Sequence, residues 1–150
     1  MIKAAKTFKG LPHRLEFITS INQVDFYNDS KSTNAVSTIT AVNSLLEKYS
    51  QVVLILGGIA KKENYSELIE LVNEKVQTVV LIGESSKVFS EQLSVPTLKI
   101  ARSMEEAVGL SKSLAKGGAI VLSPACASFD MFDDFNDRGD QFKHHVIEGN

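Results

Sequence analysis

Three apolar runs constrain the fold most: Val52-Val53-Leu54-Ile55-Leu56, Thr78-Val79-Val80-Leu81-Ile82 and Ala119-Ile120-Val121-Leu122. Runs of this length bounded by glycine read as strands. They are apolar at nearly every position, not at every second one, so both faces must be covered. Such strands belong in parallel sheets flanked by helices. The segments between them carry helical periodicity. Residues 34–49 place Val36, Ile39, Val42, Leu45 and Leu46 on one stripe. A second helix opens on Asn64 with Glu67 three residues on, and carries Leu68, Leu71, Val72 and Val76. A short helix is expected near Lys87 to Leu93, and another behind the Ser103/Glu106 pair, carrying Ala107, Leu110, Leu114 and Ala115. Leu15–Ile18 and Val24–Asn28 read as a hairpin around Ile21-Asn22-Gln23, and Thr97–Ile100 as a further strand. Two short helices, around 128–135 and 138–146, close the chain. Alternating strands and helices give an α/β fold: a single Rossmann-like domain with a mostly parallel sheet and helices on both faces.

Composition narrows the partners. A formal net charge of −2 gives no general attraction to nucleic acid or to an anionic membrane, so any anion site must be built locally. The basic start Met1–Lys6 is followed by no long apolar stretch, which argues against a signal peptide or a membrane span. Cys126 is the single cysteine, so no internal disulfide forms; a cytoplasmic location and a monomer are expected.

The familiar phosphate loops are absent. There is no G-x-x-x-x-G-K-[ST] and no G-x-G-x-x-G, and no Cys/His set has zinc spacing. Four other clusters carry chemistry, three of them just after apolar strands, where ligands bind in open α/β sheets. His13-Arg14 follows a Pro turn, and an Arg there suits a phosphate or a base. Asn28-Asp29-Ser30-Lys31-Ser32-Thr33-Asn34 opens a helix; Asp29 suits ribose hydroxyls, and Lys31 or Thr33 suits an anion. Lys61 and Lys62 lie beyond Gly57-Gly58, within reach of a carboxylate. Ser123-Pro124-Ala125-Cys126-Ala127-Ser128-Phe129 leaves small residues and backbone N–H groups at a strand end, with Ser128 starting a helix. Each cluster has a structural alternative: a surface Arg, helix caps, solvated lysines, an N-cap. Cys126 reads as a packing residue, since no His stands near it in sequence. His144-His145 reads as a solvated pair.

Taken together, Gly10-Leu11-Pro12-His13-Arg14 through Glu16, Asn28–Asn34, Leu56-Gly57-Gly58 with Lys61, Ser123–Asp130, and Arg138-Gly139 with Phe142 resemble the C-terminal domain of the Mur ligases of bacterial peptidoglycan synthesis. The resemblance covers nearly the whole of residues 1–150. It implies an ATP-dependent, amide-forming ligase that adds D-glutamate to UDP-N-acetylmuramoyl-L-alanine through an acyl phosphate. It further implies that the UDP-sugar domain, the P-loop domain and the Mg2+ ligands lie outside this chain, which alone is expected to be inactive. By the same resemblance His13, Arg14, Asp29 and Lys31 face ATP. Thr33, Lys61, Ser128, Phe129 and Phe135 hold D-glutamate, with Lys62 beside Lys61. The competing reading is a stand-alone Rossmann-like module that binds a nucleotide or small anion without catalysis.

Overall fold

The computed structural model of the chain describes residues 11–149. Gly10 and the basic start Met1–Lys6 lie outside the described residues. Six strands form one sheet: β1 (Glu16–Ile21), β2 (Val24–Asn28), β3 (Val52–Gly57), β4 (Thr78–Ile82), β5 (Thr97–Ile100) and β6 (Ala119–Leu122), in the order β1-β2-β6-β3-β4-β5. Only β1 runs antiparallel to its neighbour, and a bulge between Phe17 and Thr19 interrupts that pairing. Asn22 and Gln23 join β1 to β2 with φ of 52° and 68°, as a type I′ hairpin turn requires.

The helices are α1 (Ala35–Leu46), α2 (Ser66–Lys75), α3 (Ser86–Gln92), α4 (Met104–Leu114) and α5 (Phe135–Glu148). The inner strands are apolar throughout because the two pleat directions feed two cores. Leu54 and Leu56 join Val79, Leu81 and Val121 beneath Val42, Leu45, Leu68, Val72 and Phe89 of α1, α2 and α3. Val53 and Ile55 join Val80, Ile82 and Ile120 beneath Met104, Ala107, Val108, Phe142 and Val146 of α4 and α5. Among the described residues no helix is long and apolar enough to cross a membrane.

Three expectations are corrected. Val36 is 71% exposed, not part of the buried stripe of α1. The buried face is Ala35, Thr38, Ala41, Val42 and Leu45, and it admits Thr38 because its hydroxyl donates to the Ser123 carbonyl at 3.2 Å. Asn64 is not the cap of α2: Tyr65 holds that position without a side-chain bond, and Asn64 Oδ1 accepts the Ser66 N–H at 2.8 Å. The closing segment is one helix, not two. Residues 128–132 form a turn in which the Ser128 carbonyl accepts from both Met131 N and Phe132 N. Asp134 caps α5 by accepting the Asp137 N–H at 2.8 Å. The Ser103 cap of α4 is as expected, its hydroxyl accepting the Glu106 N–H at 3.1 Å.

After β2 and β3 the chain passes to the face of α1 and α2, and after β6 it turns to the opposite face as α5. The connections therefore diverge at the carboxyl ends of β2, β6 and β3, the place where an α/β sheet opens a crevice.

Candidate functional site

The loop after β2 is held mainly by Asp29. This side chain is buried, and both of its oxygens accept hydrogen bonds: Oδ1 from Leu15 N at 2.8 Å, Oδ2 from Ser123 Oγ at 2.7 Å and from Ser32 Oγ at 2.5 Å. It thus pins the start of β1, its own loop and the end of β6 to one point. Burial raises its pKa above the ordinary 3.8, against the pull of those hydrogen bonds. A carboxylate offers about four lone-pair sites, so the three bonds leave one for a hydroxyl donor from outside.

His13 is buried too, with φ of 65°. Its Nδ1 accepts from Asn28 Nδ2 at 2.8 Å, its backbone N–H donates to Glu16 Oε1, and its carbonyl accepts the Lys31 N–H. Its ring packs where a Cβ on Gly139 would lie 2.1 Å from Nδ1, so α5 needs glycine there. The imidazole is therefore a brace between the hairpin and α5, while Arg14 beside it is exposed and acts on the Asp29 carboxylate only through space, making no hydrogen bond or salt bridge with its guanidinium among the described residues. Burial, then the nearby Lys143 ammonium, lowers the His13 pKa below 6.5. A histidine held neutral contributes stability that is complete above its unfolded value and lost as pH falls below it. Urea midpoints are accordingly expected to drop between pH 7 and pH 5.5, and His13→Gln is expected to flatten that drop. An equal drop in both proteins would remove His13 as its source.

A groove of about 490 Å³ opens between the start of β1 and α1, lined by Arg14, Asp29, Lys31, Thr33, Val36 and Ser37 among others. Of the four residues expected toward nucleotide, Arg14, Asp29 and Lys31 line it, and His13 does not. Thr33, expected toward D-glutamate, lines it as well. Lys31 Nζ sits 4.4 Å from the centroid of the Phe135 ring, which also meets the His13 ring edge-on.

Lys61 and Ser128 lie on the next two loops, which are stitched to each other. Ile59 and Ala127 exchange backbone hydrogen bonds of 2.9 and 3.1 Å. Gly58 is tied to the β4 loop in both directions, its N–H donating to Ser85 Oγ and its carbonyl accepting Ser85 N. Lys61 and Lys62 are both exposed; the Lys61 N–H donates to the Tyr65 hydroxyl at 3.0 Å. Ser128 is buried, and its hydroxyl has no hydrogen-bond partner among the described residues. Phe129 next to it is 69% exposed. Burial pushes the Cys126 thiol up to about 11, so it stays protonated at neutral pH and serves as packing.

Two residues that tie the site together have no role in the sequence reading: Glu63, and Arg138, which enters there only as part of the Arg138-Gly139 motif. Glu63 Oε1 accepts the Ala35 N–H at 3.0 Å, fastening the lysine loop to the start of α1 beside Thr33; an exposed-looking Glu among lysines carries no signal for this. Arg138 is fully buried, whereas arginine is ordinarily exposed. The assembled edge presents Arg14, Lys31, Lys61 and Lys62 from three loops, with a partnerless hydroxyl and an exposed phenyl ring on a fourth. That arrangement suits a ligand with several negative charges.

A family model described as "Mur ligase, glutamate ligase domain" matches residues 13–126. A protein of Cytophaga hutchinsonii named UDP-N-acetylmuramoylalanine--D-glutamate ligase is 49% identical over 150 residues, covering 98% of this chain and 33% of that protein. One of the same name from Marinobacter nauticus is 43% identical, covering 99% of this chain and 34% of that protein. The chain thus spans about a third of the length of these relatives. Among solved structures, the MurF ligase of Thermotoga maritima in complex with ADP superposes with a TM-score of 0.62 at 18% identity, covering 95% of this chain and 33% of that one.

Proposed function

The chain belongs to the Mur ligase family, matching its glutamate ligase domain, and we propose that it forms the C-terminal domain of an ATP-dependent ligase joining D-glutamate to UDP-N-acetylmuramoyl-L-alanine in the cytoplasm. The observation that carries this reading is the pair of relatives of that name, 49% and 43% identical across nearly the whole chain. The geometry supports it. In this reading Arg14, Asp29 and Lys31 form the nucleotide side of the groove, with His13 bracing Arg14 from behind. Asp29 uses its remaining lone pair for a ribose hydroxyl. Lys61 and the hydroxyls of Thr33 and Ser128 take the two carboxylates of D-glutamate, with Phe129 N–H adding a donor and Phe135 closing the wall.

What such residues do for the reaction is positional. ATP phosphorylates the carboxylate of the UDP-sugar substrate, and the amine of D-glutamate attacks the resulting acyl phosphate, releasing phosphate as the amide forms. Holding the amine on line for that attack removes translational and rotational freedom, which in well-oriented systems is worth about 7–11 kcal/mol of barrier. Among the described residues no cluster of three or more His, Cys, Asp or Glu side chains stands ready for a metal ion, so no step through Mg2+ is assigned to this chain. Its ligands, like the P-loop, belong in this reading to the rest of the longer protein.

The test is an assay of the full-length protein that contains this chain. With ATP, Mg2+ and UDP-N-acetylmuramoyl-L-alanine, D-glutamate is expected to give one ADP and one phosphate per amide formed, and L-glutamate none. ADP release independent of an amino acid, or equal use of another amino acid, would overturn the reading.

A further inference from the structure

Arg138 has the largest side chain among the fully buried residues. It projects from the first turn of α5 into the space behind the site. Its Nε donates to Ser30 Oγ at 2.8 Å, its Nη2 to the Ser30 carbonyl at 2.7 Å, and its Nη1 to the Cys126 carbonyl at 2.9 Å. Among the described residues no carboxylate forms an ion pair with it. Burial lowers its pKa to about 10, which leaves it charged at neutral pH. All three hydrogen bonds go to neutral acceptors, and the Asp130 carboxylate offsets the burial only through space, so the cation is costly to fold around. An apolar side chain would fill the same space without that cost.

Its contacts indicate what it does. Ser30 stands between Asp29 and Lys31. Cys126 stands two residues before Ser128. Ser30 Oγ, besides accepting from Arg138, donates to the Phe135 carbonyl at 2.8 Å, and the Phe135 ring carries Lys31. One planar group thus joins the nucleotide-side loop to the amino-acid-side loop, with Nη1 and Nη2 reaching opposite walls. We propose that Arg138 is a positioning residue that sets the spacing between the Asp29–Lys31 loop and the Cys126–Phe129 loop. This inference rests on the ligase reading for what the two loops hold. The fixed fork of the guanidinium is what lets a single side chain hold two carbonyls in one plane; a lysine keeps the charge as a point on a flexible stem.

Arg138→Lys separates the two properties. In the full-length protein it is expected to lower kcat per folded molecule about 10- to 100-fold, because small misplacements of reacting groups carry penalties of that order. KM for D-glutamate and for ATP should change little, since each half-site remains intact. A purely structural role would lower the folded fraction and leave kcat per folded molecule at the wild-type value. In amide NMR spectra of the 150-residue chain, Arg138→Lys is expected to shift signals of both 29–33 and 126–129. If that variant does not fold, Ser30→Ala removes one acceptor and is expected to shift both loops to a smaller degree. Shifts confined to one loop, or wild-type kcat in Arg138→Lys, would overturn the proposal. A wild-type protein that forms no amide, while both loops still move together in the variant, would sink the ligase reading and leave the link between the loops standing.

Discussion

Gly57→Ala is expected to destabilise the domain by about 3–5 kcal/mol, combining overpacking with an unfavourable backbone conformation. Gly57 ends β3 with φ of +127°, and a Cβ there would lie 2.0 Å from the Ile82 carbonyl oxygen of β4. The clash is with backbone in the middle of the sheet, so no side chain can swing away to relieve it. On its other side the Gly57 N–H donates to the Pro124 carbonyl at 3.0 Å, which stops the strand end from backing off. For a domain of this size each kcal/mol moves the melting temperature by roughly 2–4 °C, so a fall of about 6–20 °C is expected. The damage should not stay local. The bonds from Gly58 to Ser85 and from Ile59 to Ala127 begin at the next two residues, and the second joins the loop that carries Lys61 to the loop that carries Ser128. Urea unfolding checks this: the midpoint should fall at unchanged slope. A loss below about 1 kcal/mol would mean that the strand end has room to yield.

The sheet was legible because its chemistry is one-dimensional. Val52 to Leu56 is apolar at both parities, and the structure uses both, with Leu54 and Leu56 on one core and Val53 and Ile55 on the other. The loops of the candidate site were legible as small and polar residues placed just after such strands. What was hidden depends on tertiary partners. Val36 looked buried by periodicity, yet the face of α1 that turns inward is fixed by the Thr38–Ser123 bond between segments far apart in sequence. Ser128 looked like a helix start, but Asp130 downstream is drawn off to accept the Glu84 N–H at 2.8 Å, and Asp134 caps the helix instead. The same blindness applied inside the site. Nothing in the dipeptide His13-Arg14 tells which residue is a buried brace and which is exposed; the Gly139 face of α5 decides it. Sequence shows residue types at strand ends, while the division between groups that face a ligand and groups that hold the loops is made by distant partners.

That division gives the second large effect. In the full-length protein, Lys61→Ala is expected to raise KM for D-glutamate about 10- to 100-fold while KM for ATP changes by less than about threefold. Losing a charge-assisted hydrogen bond costs roughly 1.5–3 kcal/mol, and 1.4 kcal/mol is a factor of ten. The fold should be untouched: Lys61 is exposed, and the bond it contributes to Tyr65 comes from its backbone N–H. Lys62→Ala serves as the control, with an expected change within about twofold; a reversal of the two would move the substrate lysine one position along. The opposite arm is Asp29→Asn, expected to raise KM for ATP and spare KM for D-glutamate. Alanine is the wrong probe there, because it would strand the Leu15 N–H and two buried hydroxyls. Asparagine keeps an acceptor for Leu15 and donates to hydroxyls that can rotate to receive it. Burial has raised the Asp29 pKa, so the folded state favours its neutral form, and stability falls as pH rises from 3.8 through the folded value. A neutral isostere escapes that loss, so the melting temperature of Asp29→Asn at pH 7 should equal or exceed the wild-type value. Weaker nucleotide use in a protein at least as stable would assign Asp29 to the ligand as well as to the loop. Equal effects of Lys61→Ala and Asp29→Asn on both substrates would mean instead that the two loops act as one undivided site.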